Sequence, residues 1–154
     1  MNQKTFSLAH KDPEIIQLIN STDKKTLALW AIDCAERVLH YFEEKYPNDH
    51  RPRNALETLQ TWIDTGIFKM PVIRKASLDS HAAAREVGED NPARSAARAA
   101  GQAVATAHVF THAYGPAIYG QQAIFRTTNG LEEAVIKERN WQYNRLLNLK
   151  NLER

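Results

Sequence analysis

Asp23–Tyr46, DKKTLALWAIDCAERVLHYFEEKY, is the stretch whose reading settles the fold. Wrapped at about 100° per residue, Trp30, Tyr41, Cys34, Leu27, Val38, Ala31, Phe42, Ala35, Ala28, Leu39 and Ile32 fall on one arc of roughly 200°. Glu36, His40, Asp33, Glu44 and Arg37 take the remainder. An apolar arc this wide needs neighbours on two or three sides. The stretch therefore reads as the central helix of an all-α domain. Thr22 or Asp23 can cap its start by accepting orphan backbone N–H bonds, and Pro47 ends it.

The same periodicity continues outward in both directions. Upstream, Asp12-Pro13 opens a short helix carrying Ile15, Ile16, Leu18 and Ile19, and residues 1–11 read as a flexible N-terminal arm. Downstream, Asn48-Asp49-His50-Arg51-Pro52-Arg53 is a polar turn. A helix over 52–65 follows, with Ala55, Leu56, Leu59, Trp62 and Ile63 inward and Gly66 as its stop. Pro71 opens the next helix, which runs to Val87 on an inner face of Val72, Ile73, Ala76, Ala83, Ala84 and Val87. Asn91-Pro92 then starts an alanine-rich helix expected to reach Tyr114, where Gly115-Pro116 breaks it. A shorter helix to Arg126, a turn at 127–130 and a last helix over 131–149 complete the chain, the last with Leu131, Val135, Leu146 and Leu149 on one side. No segment reads as a strand. The expectation is about seven helices in a compact bundle or stacked helical hairpins, with 12–154 as a single helical domain.

Composition narrows the function classes. The chain has 154 residues, 43% of them hydrophobic and 25% charged, which suits one globular domain. Twenty basic and 18 acidic residues leave a net charge of +2, with no dense basic patch to suggest nucleic acid or an anionic membrane. The opening MNQKTFSLAHKDPEI has no signal-peptide core, and no apolar run approaches a membrane span, so a cytoplasmic location is expected. Cys34 is the only cysteine, which rules out an internal disulfide. It falls inside the apolar arc, where a small core residue is expected rather than a nucleophile.

Nothing in the chain matches a phosphate-binding loop, a nucleophile elbow or a dinucleotide fingerprint, so the motifs assign no catalytic residue, and no cofactor is expected. The distinctive polar residues are histidines and arginines. His108 and His112, at i and i+4 of the expected alanine-rich helix, would share a face and could chelate a metal with a third ligand such as His81 or Asp79. The competing reading packs them between helices. His81 and Arg85 are likewise one turn apart, and Arg98 lies on the next helix. An antiparallel arrangement would gather His81, Arg85, Arg98 and His108 along one polar seam, bonded internally or open to an anionic ligand. Asp33 and Arg37 are placed to pair along the central helix, or to organise the 49–53 turn.

Four blocks carry a resemblance: Leu29-Trp30-Ala31-Ile32-Asp33-Cys34-Ala35-Glu36-Arg37-Val38, then Asp49-His50-Arg51-Pro52-Arg53, then His81-Ala82-Ala83-Ala84-Arg85, then Ala96 to His108. In this order and spacing, across about residues 25–125, the chain resembles a bacterial family labelled putative immunity protein, the immunity-five-like group. The resemblance implies a small helical protein that protects a bacterium by binding a cognate protein toxin. It marks Asp33, Arg37, Asp49, Arg51, Arg53, His81, Arg85, Arg98, His108 and His112 as the characteristic polar positions. Gln102 stands where a histidine is expected in some relatives, so a three-histidine metal site on that helix would not be general. The alternative expectation is a small helical enzyme or a ligand- or metal-binding protein with a His/Arg-lined pocket. Neither reading fixes an oligomeric state.

Overall fold

The computed structural model describes residues 5–152, and residues 1–4 of the expected arm lie outside it. The described residues form seven α-helices and one 3₁₀ turn: α1 Pro13–Asn20, α2 Lys24–Glu43, α3 Arg51–Thr65, α4 Met70–Glu86, α5 Pro92–Ala105, the 3₁₀ turn Phe110–Ala113, α6 Tyr114–Thr127 and α7 Glu132–Leu152. No strand occurs among them.

Local chemistry sets most of the boundaries. Carboxylates or amides of Asp12, Asp23 and Asn91 accept the N–H of Ile15, Thr26 and Arg94 and so start α1, α2 and α5. Prolines 13, 52, 71 and 92 sit in first turns, where a missing N–H is harmless. Gly66 ends α3 at φ +69°, a left-handed conformation that costs a glycine little.

Two helices share the centre. α5 packs against α2, α3, α4 and α6, and α2 against α3, α5, α6 and α7. α2 contributes the bulk: Leu27, Trp30, Val38, Leu39 and Phe42 are buried, each stabilising the fold by about 1.5–3 kcal/mol. α5 contributes closeness, because its buried face is Ala93, Ser95, Ala96, Ala97, Ala99, Ala100, Gly101, Ala103 and Val104. On α4 the inner face is narrower than expected, since Val72 is half exposed while Ile73, Ala83 and Ala84 are buried. Cys34 is fully buried, and burial pushes its thiol well up from 9.0, as for a core residue.

The alanine-rich helix is shorter than the sequence suggests. α5 stops at Ala105, followed by tight turns in which Thr106, Ala107 and His108 donate to Ala103, Val104 and Ala105. Pro116 occupies the first turn of α6, and its ring bars a helix only from the turn just before it. The break after Ala105 lies well upstream of that turn, beside the β-branched Thr106 and Val109, which lower helix propensity slightly. Gly115 has a packing role, because a Cβ on it would lie 2.6 Å from Gln102 Cβ.

α7 also departs from expectation. Its buried stripe is Glu138, Gln142, Leu146 and Leu149, whereas Leu131 precedes the helix and is exposed. Gln142 docks it: its Nε2 donates to Ala117 O at 2.9 Å, its Oε1 accepts from Gln121, and its carbonyl accepts from the Trp30 indole at 2.8 Å. Residues 5–11 run as irregular chain against α6, with Phe6 near the Phe125 ring and His10 O accepting from the Tyr114 hydroxyl.

Candidate functional site

The candidate polar residues divide into two groups. The first lies along α2, on the sides it presents to α7 and to the start of α3. Arg37 and Asp33 do not pair along α2 as the sequence suggested. Each reaches α7 instead: Arg37 forks onto Glu138 at 2.8 and 2.9 Å, and Asp33 accepts from Arg145 at 2.8 Å. Arg37 also stacks on Trp141, 3.8 Å from the ring centroid. Both residues line a shallow cleft of about 370 Å³ between α2 and α7.

The 49–53 turn is tied from other elements. Arg51 bonds Asp49 at 2.7 and 3.0 Å and also Glu86 of α4, while Arg53 bonds Glu43 at 2.7 and 3.1 Å and also Glu36, both on α2. The Arg51 and Arg53 guanidiniums hold the Asp49 and Glu43 carboxyls below their ordinary range. The expected help from Asp33 or Arg37 is absent because both are engaged on α7.

The second group lies on α4, α5 and the loop after α5. Arg98 NH1 meets His81 Nδ1 at 2.9 Å. A guanidinium nitrogen can only donate, so Nδ1 accepts and the His81 proton resides on Nε2. The imidazole is neutral: burial first, then Arg98, Arg85 and His112, push its pKa from 6.5 to about 4. The ring lies so close to α5 that a Cβ on Gly101 would sit 2.7 Å from Nε2. Ser77 and Ser80 clamp α4 there by donating to Gly101 O and Ala97 O at 2.9 and 2.7 Å. His112 Nδ1 donates to Gln102 Oε1 at 2.9 Å, and burial, then His108, lowers its pKa.

His108 and His112 do not share a helix face. With α5 ended at Ala105, His108 stands in a turn, its ring 6.1 Å from that of Phe68, while His112 belongs to the 3₁₀ turn. Their one-turn chelate spacing is therefore lost. Among the described residues no three His, Cys, Asp or Glu side chains converge on a metal position. Of the expected seam, His81 and Arg98 are joined, Arg85 is exposed one turn along α4, and His108 is exposed beyond the end of α5. Thr106 Oγ1, beside this loop, is buried without a hydrogen-bond partner among the described residues.

Charge pairing separates the groups. Arg37, Arg51, Arg53, Arg94, Arg126, Arg139 and Arg145 each reach a carboxylate. Among the described residues, Arg74, Arg85 and Arg98 reach none, and all three belong to α4 or α5. Sequence reasoning missed Glu138, Gln142, Trp141, Arg139 and Arg145. The signal for Glu138 and Gln142 was their i, i+4 spacing in register with Leu146 and Leu149, hidden because the search was for apolar residues.

Fold and site together define a small all-α bundle, tied by arginine–carboxylate pairs between helices and displaying one cation-rich face. The chain belongs to the Imm-5 like putative immunity protein family, whose model matches residues 17–149. That span takes in α2 to α6 and every candidate residue. No curated protein and no solved structure matches the chain.

Proposed function

We propose that this chain is a bacterial cytoplasmic immunity protein that binds a cognate protein toxin and neutralises it without catalysis. Family membership supports the class, and the α4/α5 face supports binding as the mode of action. A binding surface needs exposed, complementary groups rather than a catalytic constellation. The observation that carries the reading is that the arginines without a carboxylate partner among the described residues gather on adjacent helices, with Arg74 and Arg85 open to solvent. Among the described residues, no helix is long and apolar enough to cross a membrane.

The second reading is a His/Arg-lined pocket in a small enzyme or ligand-binding protein. Its favourable observation is the neutral, half-buried His81 beside two guanidiniums. The geometry weakens it as a base: Nδ1 is already occupied by Arg98, and Nε2 carries the proton and lies against Gly101.

Co-expression with each toxic product of the genes neighbouring this one tests the first reading. Growth should be restored, and the two proteins should co-elute. Unrelieved growth arrest in cells that accumulate the folded chain would overturn it.

A further inference from the structure

We propose that Arg98 is a receptor for a carboxylate on the surface of an acidic protein partner, with His81 as its positioning residue. This rests on the reading of the chain as a toxin-binding protein and names the chemistry by which its face would recognise the toxin.

A guanidinium's partner decides how much charge it has left to offer. Arg37, held by the Glu138 carboxylate, is both oriented and neutralised. Arg98 is held by a neutral imidazole, which orients the guanidinium but leaves its positive charge intact. Only one of its five N–H donors is used in that contact. A planar fork with a fixed direction and free donors suits a carboxylate better than a flexible ammonium would.

The support beneath it is rigid. The His81 ring rests on Gly101 with no room for a methyl group, and Ser77 bonds the Gly101 carbonyl. His81 is thus fixed between α4 and α5, and its bond to Arg98 is built into the helix contact.

The surroundings match an acidic protein rather than a free anion. Arg74, Leu78, His81 and Arg85 recur at three- and four-residue spacing along α4 and so form one stripe. Leu78 is 58% exposed in the middle of it, and Phe110 is 42% exposed on the 3₁₀ turn that packs against α5. Charge flanking apolar contact area is the composition of a protein-binding patch. α5 carries no acidic residue. Asp79 and Glu86 of α4 lie off the stripe, paired with Lys75 and Arg51.

The test uses probes that need no toxin. A hexa-aspartate peptide, a hexalysine peptide and inorganic phosphate are titrated into the full chain while the arginine Nε–H signals are followed by NMR. Hexa-aspartate should shift the Arg98 signal and bind more weakly as salt rises, with hexalysine silent and phosphate at least tenfold weaker. Arg98→Gln should weaken the peptide about tenfold while keeping its thermal midpoint within about 2 °C of the parent. His81→Gln, whose amide oxygen can still accept from Arg98, should retain more affinity than His81→Leu. Equal peptide binding by Arg98→Gln and the parent would overturn the proposal, as would phosphate binding as tightly as the peptide. Growth protection reads the immunity function separately, so either result can fail alone.

Discussion

Arg37 and Arg98 are the same residue type used in opposite ways. Arg37 is 39% exposed, yet it forks onto Glu138, which is 5% exposed, across 101 residues of chain. Arg98 is half-buried, and its contact is an uncharged ring on the neighbouring helix. Around α2, toward α7 and the start of α3, charge closes on charge and the arginines serve as ties. On the α4/α5 face it is displayed. The difference teaches that an arginine's role is set by the charge state of whatever holds it, not by how deeply it sits.

The contrast breaks most sharply in stability. Arg37→Ala leaves the Glu138 carboxylate buried and alone and should cost about 3 kcal/mol in urea unfolding. Arg98→Gln should change stability by no more than about 0.5 kcal/mol, because no carboxylate is abandoned. Equal losses would erase the distinction between the two regions.

The regions should also titrate apart. The folded pKa of His81 lies below its unfolded 6.5, at about 4, so the folded chain binds fewer protons between those values. Stability should therefore fall as pH drops from about 6.5 to about 4, and His81→Gln should make that fall shallower, leaving the part that the lowered His112 contributes. Asp12, Glu43 and Asp49 are held below their ordinary 3.8, 4.5 and 3.8 by Arg139, Arg53 and Arg51. Their contribution is complete above those values and drains away as pH falls further. Thermal melts from pH 7 to 3 should show two successive slopes, only the first of them sensitive to His81→Gln.

A further, modest effect concerns Thr106. Its hydroxyl is buried and unsatisfied among the described residues, so Thr106→Val should stabilise by up to about 1 kcal/mol. A loss instead would mean that the hydroxyl is satisfied by water and belongs with the polar face.

What the sequence made legible was what is local. Asp12, Asp23 and Asn91 cap helices a few residues away, and Gly66 stops one in place. The error at His108 and His112 arose because the alanine pattern runs on past the end of α5: Ala107 and Ala113 are buried in turns, and a periodicity count does not tell such burial from helix. Which acid an arginine finds is harder still. Arg37 has Asp33 one turn away on its own helix and takes Glu138 instead, because α7 brings that carboxylate and the Trp141 ring together above α2. Glu138 and Gln142 were missed because buried polar side chains obey helical spacing without hydrophobicity. The His81–Arg98 pair was foreseen as a grouping, but the neutrality of the imidazole depends on burial that no spacing reveals.

Gly101 is buried, yet the aim of the Arg98 guanidinium depends on a hydrogen atom standing where other residues carry a methyl group. In a saturation screen scored for toxin resistance, this interior position should therefore behave like a contact residue. Tolerance there would be dictated by interhelical clearance, and the orientation of a surface charge would be inherited from the spacing of two backbones.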